Sequence, residues 1–521
     1  MKLSFKKILP ILLSVFLVAG IMASCGNAGE KPETAQNATQ AGSSSGNNDA
    51  VNAEEPMNMR FVGPGTAPGD MEAVEVAINE KLKTDGLNLN FSTTFIPWDA
   101  WDQKINIMLS TGEEFDLFHV FTNISSYVSR GALVKLNDYI DEHGTNMKTL
   151  FTEPMWEPLK VKGDIYGIPA YWRDITDYGG QNGIIGARKD QLDKNNLPVP
   201  TTLEELESSM EILQKNWGGN EKVYATDHEL QRTPVWLHRT YSSWPFYVDF
   251  FNGTVFVDQQ GNVKSWIETE EFKKDCEVMR RWYKKGLINP DILSLPSDTR
   301  SKLADKGEIL MGLGTFGYEA IPQLKKIDPG FDMIEFKLAP EKPNLVFDTI
   351  WNMNVVPSTT KNPEAAVKFL EWLYSSDENH DLLVYGIKDR DYKAAENGRI
   401  ERIMDNNKTF MYDFPFWQIA YYTLSNFEVT DSDKYIEKYT KTDETAEYSI
   451  VAGFIFNPEP VKTEYANVTA EMTNNIWPIK WGLVDYDEYF PKALEKMKAA
   501  GIDKVVAEYD KQLKEWLANK K

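Results

Sequence analysis

Cysteine and histidine are scarce in this chain of 521 residues. It has two cysteines, Cys25 and Cys276, and five scattered histidines, with no H-E-x-x-H, P-loop or Cys/His metal-binding spacing. So few cysteines exclude a disulfide framework, and the scattered histidines offer no zinc cluster. We therefore predict no bound metal and no cofactor, and we interpret Cys276 as a small core residue in a helical run.

Positive charge is also in deficit. Lys and Arg number 56 against 78 Asp and Glu, so the net charge is −22. Such an excess of negative charge argues against nucleic acid and against electrostatic adhesion to anionic lipid. It does not argue against a neutral ligand. Aromatic residues are plentiful, with 15 Trp, 23 Tyr and 26 Phe, and many lie in polar, loop-like contexts.

The first residues look like an export signal. Lysines at positions 2, 6 and 7 precede an apolar stretch over 8–23, which is shorter than the roughly 18 residues of a membrane span. This pattern predicts a signal peptide over 1–24. The end, Met22-Ala-Ser-Cys25, resembles a bacterial lipobox with Met22 where Leu is usual, which implies that Cys25 is acylated. The alternative is an ordinary signal peptide with a chance cysteine.

Residues 25–56 are almost entirely polar or small, which is typical of a flexible tether. The remaining chain, about 465 residues, is long enough for two domains. Strand-like patterns over 57–62, 87–96 and 115–121 alternate with helical patterns over 70–83 and 102–110. This alternation predicts an α/β fold with a largely parallel sheet.

Three further helices carry recognisable end signals. A capping box starts at Thr202, and Asn362 followed by Pro363 predicts a helix start. A C-terminal helix over 492–516 is interrupted at Gly501. Each pattern predicts where a helix begins or breaks.

Several short motifs match by chance. GSSSG at 42–46 resembles a nucleophile elbow but lies in the tether, where no strand and helix can strain the turn. GLGTFG at 312–317 matches the dinucleotide fingerprint, yet an exported protein has little access to that cofactor. We interpret its glycines as a sharp turn from a strand toward a cleft. Neither DNN at 405–407 nor DSD at 431–433 completes a calcium loop.

Collinear phrases along the chain resemble the family 1 extracellular solute-binding proteins, in particular the large lipoproteins of Gram-positive bacteria. These phrases are EFDL at 114–117, GALVKLNDYI at 131–140, DIYGIP at 164–169, RKDQLDK at 188–194, LPVPTT at 197–202, GLINPD at 286–291, NPEAA at 362–366 and YGI at 385–387. The tail resembles a C-terminal module of some members, with GFIFN at 453–457, PVKTE at 460–464, GLVD at 482–485 and AGID at 500–503.

The resemblance implies a two-lobe, periplasmic-binding-protein-like clamp of type II, in which the chain crosses a hinge more than once. Lobe 1 would comprise residues 57–172 plus 351–410. Lobe 2 would comprise residues 173–350 plus 411–521, including the C-terminal helical module. The hinge would lie near 169–174 and 347–352.

Such a protein captures a solute between its lobes, and sugar is the family's usual ligand. A sugar has an apolar C–H face and a rim of hydroxyls, so its site needs flat aromatic rings and fixed polar partners. Ends of strands face the cleft in open α/β sheets. The candidate ligand-binding residues are Trp98, Trp101, Phe121, Thr122, Asn123, Tyr171, Trp172, Arg173, Asp174, Trp236, His238, Trp244, Phe316, Trp351 and Asn352.

Trp172 is the strongest single candidate for a stacking platform, since it follows a strand-like segment at the predicted lobe junction. In contrast, we interpret Trp417 and Tyr421 as a core stripe, four residues apart on a helix. Any single Trp in the candidate set can instead be a packing residue, because Trp is usually largely buried.

These features together predict an extracellular, lipid-anchored and monomeric binding protein that delivers a sugar, by family default an oligosaccharide, to the membrane permease subunits of an ABC-type importer. The alternative from another class is a lipid-anchored glycoside hydrolase, which would add an acid/base carboxylate pair to the same aromatic residues. Sequence does not show which carboxylates meet in space.

The lipobox resemblance predicts the outcome of one substitution. Cys25→Ser removes the thiol that would carry the lipid, so the variant should no longer partition with membranes. Fractionation of cells that express either form, with mass spectrometry of the mature N-terminus, checks this. A variant that stays membrane-bound, or a native chain that begins elsewhere, would contradict the lipoprotein interpretation.

Overall fold

Strands and helices alternate along the first part of the chain, as the sequence pattern predicts. The computed structural model describes residues 55–121, 124–170, 176, 182–217, 226–227, 235–249, 253–294, 310–313, 325, 329–347, 350–406, 409–431 and 433–519. All of them belong to one compact unit, residues 54–521. None of the described helices is long and apolar enough to cross a membrane.

The strands form two principal sheets and four smaller pairings or ribbons. Their bounds are Met57–Pro64, Leu89–Ile96, Leu117–Val120, Lys160–Val161, Asp164–Ile165, Ile168–Ala170, Ile185–Arg188, Thr226–Asp227, Phe246–Val248, Val255–Asp258, Val263–Ser265, Met311–Leu313, Met333–Phe336, Leu345–Val346, Asn352–Val355, Tyr392–Ala394, Ile400–Arg402 and Glu447–Tyr448.

Helices pack around these sheets. The α-helices are Met71–Thr84, Trp101–Thr111, Ile124–Ser129, Asn137–His143, Thr145–Leu150, Glu153–Trp156, Lys189–Lys194, Leu203–Asn216, Val235–His238, Glu270–Lys285, Pro363–Leu373, Asp377–Val384, Asp433–Thr440, Lys462–Glu471, Trp477–Lys480, Tyr486–Ala500 and Ile502–Asn519. A π-helical turn, Met472–Ile476, joins two of them, and short 3-10 turns include Phe416–Gln418 and Tyr422–Leu424.

The predicted helix signals are largely confirmed. Thr202 accepts from the backbone N–H of Glu205 in a complete capping box. Gly501 ends the helix Tyr486–Ala500 with a left-handed φ of 100°, so the predicted interruption is real. The helix at Pro363 begins as predicted, but the Asn362 side chain makes no capping hydrogen bond. Cys276 is buried in the helix Glu270–Lys285, as expected.

The first sheet brings strand ends to one edge. Its five strands lie in the order Leu89–Ile96, Met57–Pro64, Leu117–Val120, Asn352–Val355 and Ile168–Ala170. The strand Asn352–Val355 runs antiparallel to its two neighbours, and the other four strands share one direction. The carboxyl ends of these four strands and the amino end of Asn352–Val355 therefore meet at the same edge.

A second sheet lies after the first crossing of the chain. Its order is Met333–Phe336, Ile185–Arg188, Met311–Leu313 and Thr226–Asp227. Leu313 pairs opposite Ile185, so the strand that contains the first two residues of GLGTFG ends where the strand Ile185–Arg188 begins.

Each sheet has its own hydrophobic core. The first core joins residues of 57–168 to residues of 350–424, and the second joins 185–347 to 468–505. The expected division placed residues 411–521 in lobe 2, but Tyr412, Phe414 and Ile419 pack in the first core. The first core therefore extends beyond residue 410, because these side chains complete the packing against the first sheet.

The C-terminal module is an integral part of the second core. Trp481 is 1% exposed and packs in the core that contains the helix Glu270–Lys285. Arg280 of that helix donates to the carbonyl oxygens of Gly482 and Leu483 at 2.8 and 2.9 Å. A Cβ at Gly482 would lie 2.4 Å from the backbone of the helix, and its φ is +71°, so this contact requires glycine.

Loss of Trp481 should therefore destabilise the second core. We expect Trp481→Ala to lower the free energy of unfolding by roughly 3–5 kcal/mol, because a large buried side chain leaves a cavity. Guanidinium unfolding measures this. Trp516→Ala, at a half-buried position of the last helix, is the matched control and should cost much less. Equal small losses would show that the module is peripheral.

Candidate ligand-binding site

The shared edge of the first sheet collects several predicted site residues. Trp98 follows the strand Leu89–Ile96, and Phe121 follows Leu117–Val120. Trp351 and Asn352 lie where the strand Asn352–Val355 begins. Asn352 pairs opposite Ala170, at the end of the neighbouring strand Ile168–Ala170. These residues therefore lie together at one edge of the sheet, and their role in a ligand cleft stays a prediction.

Three rings at this edge form an aromatic platform, which we define as Trp98, Phe121 and Trp417. Ring centroids are 6.2 Å apart for Trp98 and Phe121, 5.8 Å for Trp98 and Trp417, and 6.0 Å for Phe121 and Trp417. The corresponding interplanar angles are 21°, 17° and 9°. Trp98 remains 54% exposed, so this nearly parallel group presents an apolar surface to solvent.

Trp351 extends the same group. Its ring centroid lies 6.4 Å from that of Phe121 with an interplanar angle of 61°. The tilted ring makes a side wall to the platform. Flat faces with a tilted wall suit the C–H face of a sugar ring better than they suit a compact charged ligand.

His119 supports the platform from below. Its ring stands edge-on to Phe121 at 4.9 Å and to Trp417 at 5.1 Å, with interplanar angles of 89° and 86°. His119 is fully buried, and this burial lowers its pKa to about 3, while its hydrogen bond to the Gln418 carbonyl acts in the opposite direction. The imidazole is therefore neutral at physiological pH.

Asn352 offers a polar group beside the rings. The residue is 3% exposed, and among the described residues its Oδ1 has no hydrogen-bond partner. A buried carbonyl oxygen without a partner is costly. The amide is as buried as the indoles of Trp101 and Trp244, so a ligand does not reach it in this arrangement of side chains, and its role as a polar contact stays a prediction.

Four predicted site residues lie in hydrophobic cores instead. Trp101 is buried in the first core at the start of a helix. Trp236 is fully buried and stacks on Trp282 at 4.9 Å and 13°. Trp244 is also buried, among aromatic neighbours. These predictions are wrong, because the indole faces that a ligand would need are covered by other side chains.

His238 is the fourth of these residues. Its Nε2 lies 3.1 Å from Oδ2 of Asp275, and both residues are buried in the second lobe's core. Burial raises the pKa of Asp275, and the contact with His238 opposes that shift. Tyr241 donates to the other carboxylate oxygen at 2.6 Å. This group is an internal polar cluster and presents no donor to a cleft.

The remaining predicted residues fall outside the described part of the chain. They are Thr122, Asn123, Tyr171, Trp172, Arg173, Asp174 and Phe316. Their roles stay predictions, including that of Trp172 as the main stacking residue.

Trp417 is the site residue that the sequence interpretation missed. A helix with Trp417 and Tyr421 on one buried face was expected, but the chain makes only a 3-10 turn at Phe416–Gln418. Tyr421 is in the first core as expected, whereas Trp417 is half-buried and joins the platform. Pro415 does not signal this difference, because proline restricts only the residue before it and is compatible with the first turn of a helix.

The chain belongs to the bacterial extracellular solute-binding protein family, whose model matches residues 66–380. Residues 450–518 match a domain of unknown function, DUF3502. This membership makes the chain a binding protein rather than the glycoside hydrolase considered above.

Individual relatives agree over nearly the whole chain. A carbohydrate ABC transporter substrate-binding protein of Streptococcus pneumoniae serotype 4 is 22% identical over 98% of each chain. The solved N-glycan transport solute-binding protein of S. pneumoniae is 19% identical, with a TM-score of 0.71 over 89% of this chain and all of that one. An HMO-binding, ABC-transporter-associated solute-binding protein of Bifidobacterium longum infantis has a TM-score of 0.63 at 17% identity, over 90% of this chain and all of that one. The likeness to these two structures confirms the predicted solute-binding-protein fold.

The lowered pKa of His119 predicts an acid sensitivity. The unfolded chain binds a proton at this histidine below about pH 6.5, and the folded chain does so only near pH 3. The free energy of unfolding should therefore fall as pH drops through this window, with His119 contributing roughly 3 kcal/mol of the loss between pH 7 and pH 4. Urea unfolding of wild type and His119→Gln at both pH values measures this difference. The same pH dependence in both proteins would contradict it.

Proposed function

We propose that this chain captures an oligosaccharide against the aromatic platform and delivers it to the permease subunits of an ABC-type importer. The observation that carries this proposal is the set of three rings within 21° of parallel, one of which is half-exposed. Sugars stack their C–H faces on such surfaces.

The solved relatives support an oligosaccharide as the ligand. The N-glycan transport protein of S. pneumoniae has been solved with Man1GlcNAc and with Man5GlcNAc. Another S. pneumoniae substrate-binding protein has been solved with kestose.

The two cores would act as the two lobes of a clamp. The chain passes between them at least three times, because the first core takes residues up to 168 and 350–424 and the second takes 185–347 and 468–505. Two of these crossings follow Ala170 and precede Asn352, which are paired neighbours in the first sheet. Two crossings that lie side by side make a narrow hinge, and ligand contact with both lobes would favour the closed state. Acylation of Cys25 would hold the monomeric protein at the outer face of the cell membrane, with the polar tether as spacer.

Stacking should make Trp98 important for affinity and not for stability. We expect Trp98→Ala to weaken binding by about 10- to 100-fold, since a stacked aromatic contributes on the order of 1–3 kcal/mol. Its melting temperature without ligand should change little because the ring is half-exposed. Calorimetric titration with Man5GlcNAc, kestose and milk oligosaccharides, with thermal unfolding, measures both quantities.

Trp236→Ala is the matched control, because Trp236 is fully buried in the second core. It should lower the melting temperature while affinity is retained in the folded fraction. The proposal fails if no glycan binds the wild-type protein, or if Trp98→Ala binds as tightly as wild type.

A further inference from the structure

Trp417 lies on a short segment whose backbone is fastened at one carbonyl. We define the platform segment as residues 414–421. The Gln418 carbonyl oxygen accepts from Nδ2 of Asn354 at 3.0 Å and lies 3.3 Å from Nδ1 of His119. Because a carbonyl oxygen can only accept, His119 carries its proton on Nδ1. Both donors and Gln418 itself are fully buried.

The two donors are placed together by the sheet. His119 and Asn354 pair directly opposite each other on neighbouring antiparallel strands, so their side chains leave the same face. Phe121 lies two residues after His119, and Asn352 lies two residues before Asn354 on the antiparallel strand. Both residues therefore share that face and lie nearer to the edge that carries the platform. His119 and Asn354, which hold Gln418, thus lie further from that edge of the sheet than Phe121 and Asn352.

The Gln418 side chain adds a third attachment. Its Nε2 donates to the Pro64 carbonyl at 2.7 Å. Its Oε1 lies 2.2 Å from the position that a Cβ on Gly63 would occupy. A side chain at Gly63 would therefore displace the Gln418 amide, which is the end of a flexible side chain.

We propose that His119 and Asn354 are positioning residues of the ligand site. Both donate a hydrogen bond to the Gln418 carbonyl oxygen. These bonds keep Trp417 nearly parallel to Trp98 and Phe121 and so set the affinity for the oligosaccharide. Both are fully buried, so they act through Trp417 and not by touching the ligand. This inference rests on the proposed function for its effect on binding, and on geometry alone for its effect on Trp417.

The shared carbonyl predicts that the two residues are not additive. A carbonyl oxygen has two lone pairs, and loss of either donor leaves the other in place. Loss of both leaves a buried acceptor without a partner, which is far more costly than one missing hydrogen bond. The double variant should therefore show more than the sum of the two single effects.

The test uses the full mature chain labelled with 5-fluorotryptophan. Each of the 15 Trp gives one fluorine resonance, and Trp417→Phe assigns that of Trp417. The variants are His119→Phe, Asn354→Leu and their combination, which remove the donors and replace each side chain by an apolar one of similar shape. Gly63→Ala displaces the same amide by a different, steric route. His238→Phe, which removes a buried and hydrogen-bonded histidine from the second core, is the matched control.

We expect the double variant to shift and broaden the Trp417 and Trp98 resonances and to weaken Man5GlcNAc binding by at least about tenfold, with each single variant within about threefold of wild type. Gly63→Ala should act in the same direction. His238→Phe should lower the melting temperature and leave the Trp417 resonance and glycan affinity unchanged.

An unchanged Trp417 resonance in the double variant and in Gly63→Ala would overturn the inference. A changed resonance with unchanged glycan affinity would confirm the positioning role and contradict the platform as the ligand site. The fluorine readout needs no ligand, so it decides the positioning role even when Man5GlcNAc fails to bind the wild-type protein.

Discussion

Four strands end and one begins at a single edge of the first sheet, and this arrangement of chain direction brings Trp98, Phe121 and Trp351 to that edge. At this edge lie the loop that carries Trp98, the residue Phe121, and Trp351, which directly precedes the strand Asn352–Val355. The chain also leaves for and returns from the second core at this edge, beside Ala170 and Asn352. The proposed recognition surface and the proposed hinge would therefore be neighbours, so contact with a ligand and movement of the lobes would act on the same few residues.

The edge also explains why polar groups are buried inside the first lobe. His119, Asn354 and Gln418 are fully buried, and polar groups in such places cost free energy unless they are hydrogen-bonded. A hydrophobic cluster would fill the space more cheaply, but it would leave the platform segment free to choose among several packings. Directed hydrogen bonds to one carbonyl select a single arrangement, which is the one that presents Trp417 beside Trp98.

Much of this fold follows from local sequence patterns. The strand expected at 57–62 is Met57–Pro64, and the helix expected at 70–83 is Met71–Thr84. Alternation and capping are short-range signals, and they survive in the folded chain because the hydrophobic faces they define are the ones buried. The lobe boundary at 410 was harder to place, because Tyr412 and Phe414 join the first core by contacts with residues far away in the sequence.

In the candidate site, a residue's place after a strand is a better guide than the composition of the sequence around it. Trp98 and Phe121 were identified because they follow predicted strands, and strand ends have a defined place in the fold. Trp236 and Trp244 were chosen because aromatic residues are dense around them, and density does not tell a ligand surface from a core. The partner that covers Trp236 is Trp282 on a distant helix, which no local pattern reveals. The prediction that Trp417 is a core residue was wrong because no local pattern reveals its exposure. That exposure depends on Gln418, which is held by residues of two other strands, so only the tertiary structure separates Trp417 from a core residue.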